Sequence, residues 1–163
     1  MKVLLDASSL INLHRGRLLE IVLGLTSFGF VFYIGNIVRD ECGDLQELLD
    51  LQSTNGTLIV LPANTMTPEE FTGVLNLYDL GLGETECIAL ANRLGLCVCT
   101  DDKAARRAAV KHIGDDRVLG SLRLVRECVR QGLLDRENAI LAYEAMKAGG
   151  AFLPTIAASY FES

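Results

Sequence analysis

The sequence is short of what several enzyme classes require. It has two histidines in 163 residues, His14 and His112. They form no Ser-His-Asp order with their surroundings and are too few for most zinc hydrolase sites. Positive charge is not in surplus: 21 acidic residues against 15 basic ones give a net charge of −6. That argues against a passive nucleic-acid binder held mainly by a basic surface, but not against an enzyme whose excess acid holds metal. No Cys-x-x-Cys pair occurs. The five cysteines, an odd number, read as reduced thiols, with Cys97-Val98-Cys99 as small buried hydrophobes on a strand.

Long apolar runs are missing too. Ile21 to Ile37 is broken by Gly24, Gly29 and Gly35, so it reads as helix–turn–strand rather than a membrane span. Asp6 comes too early to leave room for a signal-peptide core. The expectation is a cytoplasmic protein with no membrane contact, folded as one domain over 1–163 without repeat or linker. Gly81-Leu82-Gly83 lacks the third glycine and the preceding strand of a dinucleotide loop. The Asp-x-Asp of a haloacid-dehalogenase-type phosphatase is also absent, since Ser8 stands two residues after Asp6.

What is present is an alternation of β and α signals. Strands are expected at Lys2–Asp6, Phe30–Ile34, Leu58–Leu61, Leu96–Thr100 and Arg117–Leu119. Helices are expected at Leu10–Leu25, at Ile37–Leu51 behind an Asn36 cap, and from the capping sequence Thr67-Pro68-Glu69-Glu70. Further helices are expected at Gly83–Leu94, Asp102–His112, Leu122–Gln131 and Arg136–Lys147, with a last short one from Pro154. Alternation of this kind implies a parallel sheet covered on both faces.

Acidic residues fall where such a sheet presents ligands. Asp6 and the pair Asp101/Asp102 follow apolar runs, so they stand at the carboxyl ends of strands, the binding edge of open α/β sheets. Glu41 shares a helical face with Ile37 and can look toward that edge. Glu84 and Glu86 open the helix carrying Cys87-Ile88-Ala89-Leu90-Ala91, with Glu86 the better placed to meet a strand-end carboxylate. Carboxylates gathered there repel one another unless a divalent cation neutralises them. Each also has a plainer reading: Asp6 as a helix cap, Glu41 as a solvated glutamate, Glu84 and Glu86 as partners of the helix dipole. Of Asp101 and Asp102, one is expected to bind metal and the other to cap the next helix. That helix carries Lys103, Arg106, Arg107 and Lys111, a basic strip able to hold phosphates and equally readable as a solvated face.

Leu5-Asp6-Ala7-Ser8-Ser9-Leu10-Ile11, Val38-Arg39-Asp40-Glu41, Gly83-Glu84-Thr85-Glu86-Cys87-Ile88-Ala89-Leu90-Ala91 and Cys99-Thr100-Asp101-Asp102-Lys103 together resemble the PIN-domain family, nucleases of the VapC toxin type and their relatives. The middle segment resembles a subgroup whose motif reads Gly-Glu-x-Glu. The resemblance implies a three-layer α/β/α domain with a central parallel sheet and C-terminal helices from about 120. It implies ribonuclease activity dependent on Mg²⁺ or Mn²⁺, with Asp6, Glu41, Glu86 and Asp102 as the acidic quartet and Ser8 beside the first acid. Asp101 and Glu84 stay open as alternative ligands, and Lys103, Arg106, Arg107 and Lys111 are expected to bind RNA. It further implies the toxin of a toxin–antitoxin pair, an antitoxin partner and a homodimer. The rival expectations are a catalytically silent PIN-like domain that binds RNA or protein, and a small-molecule phosphohydrolase.

Overall fold

A computed structural model describes residues 1–162. The strands are β1 (Lys2–Leu5), β2 (Val31–Ile34), β3 (Ile59–Val60), β4 (Cys97–Cys99) and β5 (Val118–Leu119). Every pairing is parallel, in the order β3-β2-β1-β4-β5. Val3, Leu4 and Leu5 of the central strand are fully buried, as a strand covered on both faces requires. The chain steps outward from β1 to β3, then returns to the opposite side of β1 for β4 and β5. The strand order therefore reverses between β1 and β4, and a crevice opens at the carboxyl ends of those two strands.

The helices are α1 (Ala7–Arg15), α2 (Leu19–Leu23), α3 (Asn36–Glu41), α4 (Gln46–Thr54), α5 (Pro68–Leu77), α6 (Leu82–Leu94), α7 (Lys103–Ile113), α8 (Ser121–Arg130) and α9 (Arg136–Ala148). One group, α3, α5, α6 and α7, packs together; α1, α2, α8 and α9 make the other. With the sheet between, the architecture is three-layer α/β/α, built around one cluster of buried apolar side chains. Among the described residues no helix is long and apolar enough to cross a membrane.

Two expected long helices are divided. The first starts at Ala7 rather than Leu10, because Asp6 takes the cap position. It then breaks where Arg17 turns into the left-handed region at φ 55°, and Leu19–Leu23 resumes as a separate helix. The second ends at Glu41 and restarts at Gln46, after a 3₁₀ turn over Gly43–Leu45. Gly35, not Asn36, occupies its cap position. The expected helix at Pro154 is a 3₁₀ turn at Ala158–Phe161. The cues at Thr67 and Gly95 give what their chemistry dictates: a reciprocal capping box with Glu70, and a left-handed helix stop at φ 66°.

Candidate active site

The crevice is built from the strand ends upward. The Asp6 amide donates to the Cys99 carbonyl at 3.1 Å, so β1 and β4 stay in register up to the first acid. Asp6 is 2% exposed and caps α1, with Oδ1 accepting from the Ser9 amide at 2.7 Å. The Ser8 hydroxyl lies 2.9 and 2.8 Å from the two Asp6 oxygens and accepts from the Asp101 amide at 3.1 Å. One serine thereby ties together the two strand ends that carry acids.

Burial pushes the Asp6 carboxyl up to about 6, against the pull of hydrogen bonds from Thr100, Ser9 and Ser8. Among the described residues no lysine or arginine forms an ion pair with it. A buried carboxylate without a cation is costly. This one, surrounded by oxygen donors, suits a hard divalent ion.

On the other side of the crevice, α3 and α6 exchange carboxylates. Glu86, 2% exposed, accepts the Ile37 amide on Oε1 and the Val38 amide on Oε2, both at 3.0 Å. Burial raises its pKa and those amides oppose the rise. A side chain at Gly35 would collide with this carboxylate, which accounts for glycine where the strand turns into α3. In return Glu41, at the end of α3, accepts the Gly83 amide on Oε1 at 3.1 Å. A side chain at Gly83 would collide with Glu41. Glu84 caps its own helix, with Oε2 accepting the Gly81 amide at 3.0 Å. Its pKa is raised by burial, with Asp102 and Glu41 adding to the rise against the Gly81 amide.

The acids after β4 divide in the same manner. Asp101 accepts from the Ser121 amide at 2.8 Å, the Ser121 hydroxyl at 2.6 Å and the Asn12 side-chain amide at 2.9 Å. It thus joins α1 and α8 to the sheet. Asp102 caps α7, with Oδ1 accepting the Ala105 amide at 2.8 Å.

The acids divide by how their oxygens are used. In Glu41, Glu84 and Asp102, one oxygen accepts a backbone amide and the other accepts no hydrogen bond among the described residues. Asp6, Glu86 and Asp101 have both oxygens engaged, Asp6 by the Ser9 amide and the Ser8 hydroxyl. Asp6, Glu41, Glu84 and Glu86 all act on the buried Cys87 thiol, whose pKa is driven well up, first by burial. Its Sγ lies 3.9 Å from the Leu5 carbonyl. Among the described residues, no three acids stand close enough to share one ion as they are. Asp102 and Glu41 lie near enough to Glu84 to raise its pKa, and Glu41 and Asp6 both act on Cys42, which makes a rim of neighbouring acids, each held by its own amide bond.

Lys103 and Arg106 line a cavity of about 680 Å³ beyond Asp101, whereas Arg107 and Lys111 line another, beside Tyr78 and Asp79. The expected basic strip is therefore two surfaces. A smaller cavity, about 220 Å³, lies against Ser8, Asn12, Asp101 and Asp102. All five cysteines are free and four are buried; burial lifts Cys42 to about 11 and Cys128 to about 12 and drives Cys87 and Cys99 well up, so these four supply no reactive thiol.

Asn12, Ser121 and Gly35 are site residues that motif reading passed over. Asn12 was within reach, four positions after Ser8 and so on the same helical face. Ser121 directly follows the Gly120 that caps α8. Gly83 opens the Gly-Glu-x-Glu segment, but neither it nor Gly35 is marked in the sequence as room for a carboxylate, because the side chains they make room for come from distant segments.

The sequence model of a PIN-domain family, DUF3368, matches residues 2–159. No curated protein and no solved structure matches the chain.

Proposed function

The chain belongs to the PIN-domain family, a family of nucleases in general, and from that premise we propose that it is a divalent-metal-dependent endoribonuclease. The observation that carries the reading is the buried Asp6 at the β1–β4 switch point, with no lysine or arginine paired to it among the described residues. Glu41 and Glu84 act with it on the Cys87 thiol, Asp102 acts on Glu84, and each of these three has an oxygen not committed to the backbone.

Asp6 would hold the ion, and Glu41, Glu84 and Asp102 would complete the site only as their side chains turn inward from their present separation. When bound there, Mg²⁺ or Mn²⁺ supplies a Lewis acid that neutralises phosphate charge and makes water a better nucleophile. Ser8 keeps Asp6 oriented, Asp101 fixes the loop that presents Asp102, and Glu86 fixes the start of the helix that ends at Glu41. Lys103 and Arg106, on the Asp101 side, draw the phosphates of the strand toward the rim. A carboxylate oxygen left free on the rim is placed to accept the proton of the attacking water. The biological setting of this reading is a toxin of a toxin–antitoxin pair, acting as a homodimer and held in check by an antitoxin protein.

A catalytically silent RNA- or protein-binding domain is the second reading. It has one observation in its favour: among the described residues no three acids converge. A single experiment separates the two: cleavage of single-stranded RNA by purified protein in Mn²⁺, with an EDTA control and Asp6→Asn beside the unaltered chain. Asn keeps the size and capping ability of Asp6 and removes its charge. The expected loss is about 10²-fold or more, the scale of removing a principal electrostatic group. Cleavage that survives both EDTA and Asp6→Asn sinks the proposal, and no cleavage of any RNA by the unaltered chain moves the reading to the silent domain.

A further inference from the structure

The cavity beyond Asp101 is not explained by the acids. At about 680 Å³ it has the size of a small-ligand pocket. Its walls are the end of β5, the first turns of α7 and α8, and the chain from Phe152 to Thr155 with Tyr160. Lys103, Arg106 and Arg123 all reach it. Among the described residues none of these three is in an ion pair, whereas Arg39, Arg93, Arg130 and Arg136 each hold a carboxylate. In a chain of net charge −6, three cations outside any ion pair, against the single carboxylate of Asp101 on the same pocket, call for an anion from outside.

The pocket also presents aromatic surface. The Arg126 guanidinium stands 5.5 Å from the centroid of the Tyr160 ring. Arg126, Arg123 and Arg106 all pull on the Tyr160 hydroxyl, against the burial that raises its pKa. Phe152 is 82% exposed, the most exposed of the large apolar side chains. It lines both this cavity and the small one against Ser8 and Asp102, so its ring stands where the two meet. Asp101 belongs to the same wall, but Ser121 and Asn12 occupy its oxygens. Its oxygens are turned toward those donors, and its one charge leaves the three cations in excess.

Cations for phosphates and an aromatic face for a base are the two components of single-strand recognition. Continuity with the acidic rim fixes which part of a strand would lie here. Resting on the ribonuclease reading, we propose that this pocket binds a nucleotide of single-stranded RNA flanking the scissile phosphate, with Lys103, Arg106 and Arg123 taking phosphates and Phe152 stacking the base.

The test is fluorescence anisotropy in Ca²⁺, which fills carboxylate sites, with two labelled probes of about eight nucleotides, a length within single-strand site sizes. One is a 2′-O-methyl oligoribonucleotide and the other an abasic strand of equal length. Phe152→Ala should weaken the first probe roughly tenfold, the scale of losing one base stack, and leave the abasic probe unaffected; Phe152→Tyr should restore binding. Arg123→Gln should weaken both probes and lower the salt slope by about one. Equal loss on both probes for Phe152→Ala, unchanged affinity in both variants, or no binding by the unaltered chain overturns the proposal. So does displacement by polyglutamate as effective as by RNA, which points to an acidic protein instead. Mn²⁺-dependent hydrolysis of bis(p-nitrophenyl) phosphate by the unaltered chain reports on the nuclease separately. Activity there without the binding effects overturns the pocket alone. The binding effects without activity overturn the nuclease reading and leave a nucleic-acid site.

Discussion

Glu84 and Glu86 open α6 two residues apart, and Asp101 and Asp102 follow β4 side by side. In each pair one carboxylate spends both oxygens inside the protein, Glu86 on the Ile37 and Val38 amides and Asp101 on Ser121 and Asn12. The other member accepts one amide at its own helix start, Glu84 from Gly81 and Asp102 from Ala105. A carboxylate has a fixed number of acceptor sites. Each oxygen has about two such sites, so Glu84 and Asp102, each with one oxygen accepting nothing among the described residues, keep more of them for a ligand than Glu86 and Asp101 do. On the ribonuclease reading, binding is proposed for Glu84 and Asp102, and support of the site for Glu86 and Asp101.

The sharpest way to break that division is to remove charge from each member of the first pair. Glu84→Gln should cost cleavage about 10²-fold, the scale of losing a principal electrostatic group. It should also shrink the rise in melting temperature that Mn²⁺ gives by binding the native state, while stability without metal stays nearly constant. Full activity in this variant would remove Glu84 from the site.

Glu86→Gln should act on the fold instead. A glutamine offers one oxygen, and its NH₂ would face an amide that also donates. One buried N–H is left without a partner, at a cost of about 1–3 kcal/mol, read as a lower urea midpoint at unchanged slope. Unchanged stability with lost cleavage would reverse the roles of the two glutamates.

The second pair predicts a smaller contrast. Asp101→Asn should destabilise by about 1 kcal/mol, less than Glu86→Gln, because the Ser121 hydroxyl and the Asn12 amide can turn to suit the new group while backbone amides cannot. Asp102→Asn should change stability by less than about 0.5 kcal/mol, since asparagine caps helices as well as aspartate, yet it should weaken the Mn²⁺ response. Urea unfolding and melts of both variants in one buffer decide the matter. Equal stability losses would erase the distinction.

Sequence alone carried the alternation into a parallel sheet and the placement of Asp6 and Asp101/Asp102 at strand ends. Both follow from local patterns, apolar runs ending in acid. The division within each acidic pair was not legible. Glu86 meets amides 48 and 49 residues away, and Asp101 meets Asn12 across 89 residues, so tertiary packing alone selects which acid is consumed. The split of the helix expected at Leu10–Leu25 was hidden for a related reason. Arg17 adopts a left-handed backbone that no residue preference at that position announces. Phe152 belongs to none of the motifs or expected elements, since its exposure at the meeting of two cavities depends on the course of the C-terminal chain.

Gly83→Ala tests the comparison most gently. In the first turn of a helix, alanine in place of glycine ordinarily stabilises by about 0.4–1 kcal/mol, because the unfolded chain loses freedom. Here the added methyl would collide with the Glu41 carboxylate. Glu41 is solvent-exposed, so it can swing aside into water at little cost to the fold, leaving the Gly83 amide that holds it. Melting without metal should therefore stay level or rise slightly. The Mn²⁺-induced rise should shrink, and cleavage should fall several-fold, about 1 kcal/mol in transition-state terms. A stability gain accompanied by an intact Mn²⁺ response would show that the Gly83 amide does not position Glu41 for the ion. The acidic rim would then be reduced to Asp6, Glu84 and Asp102.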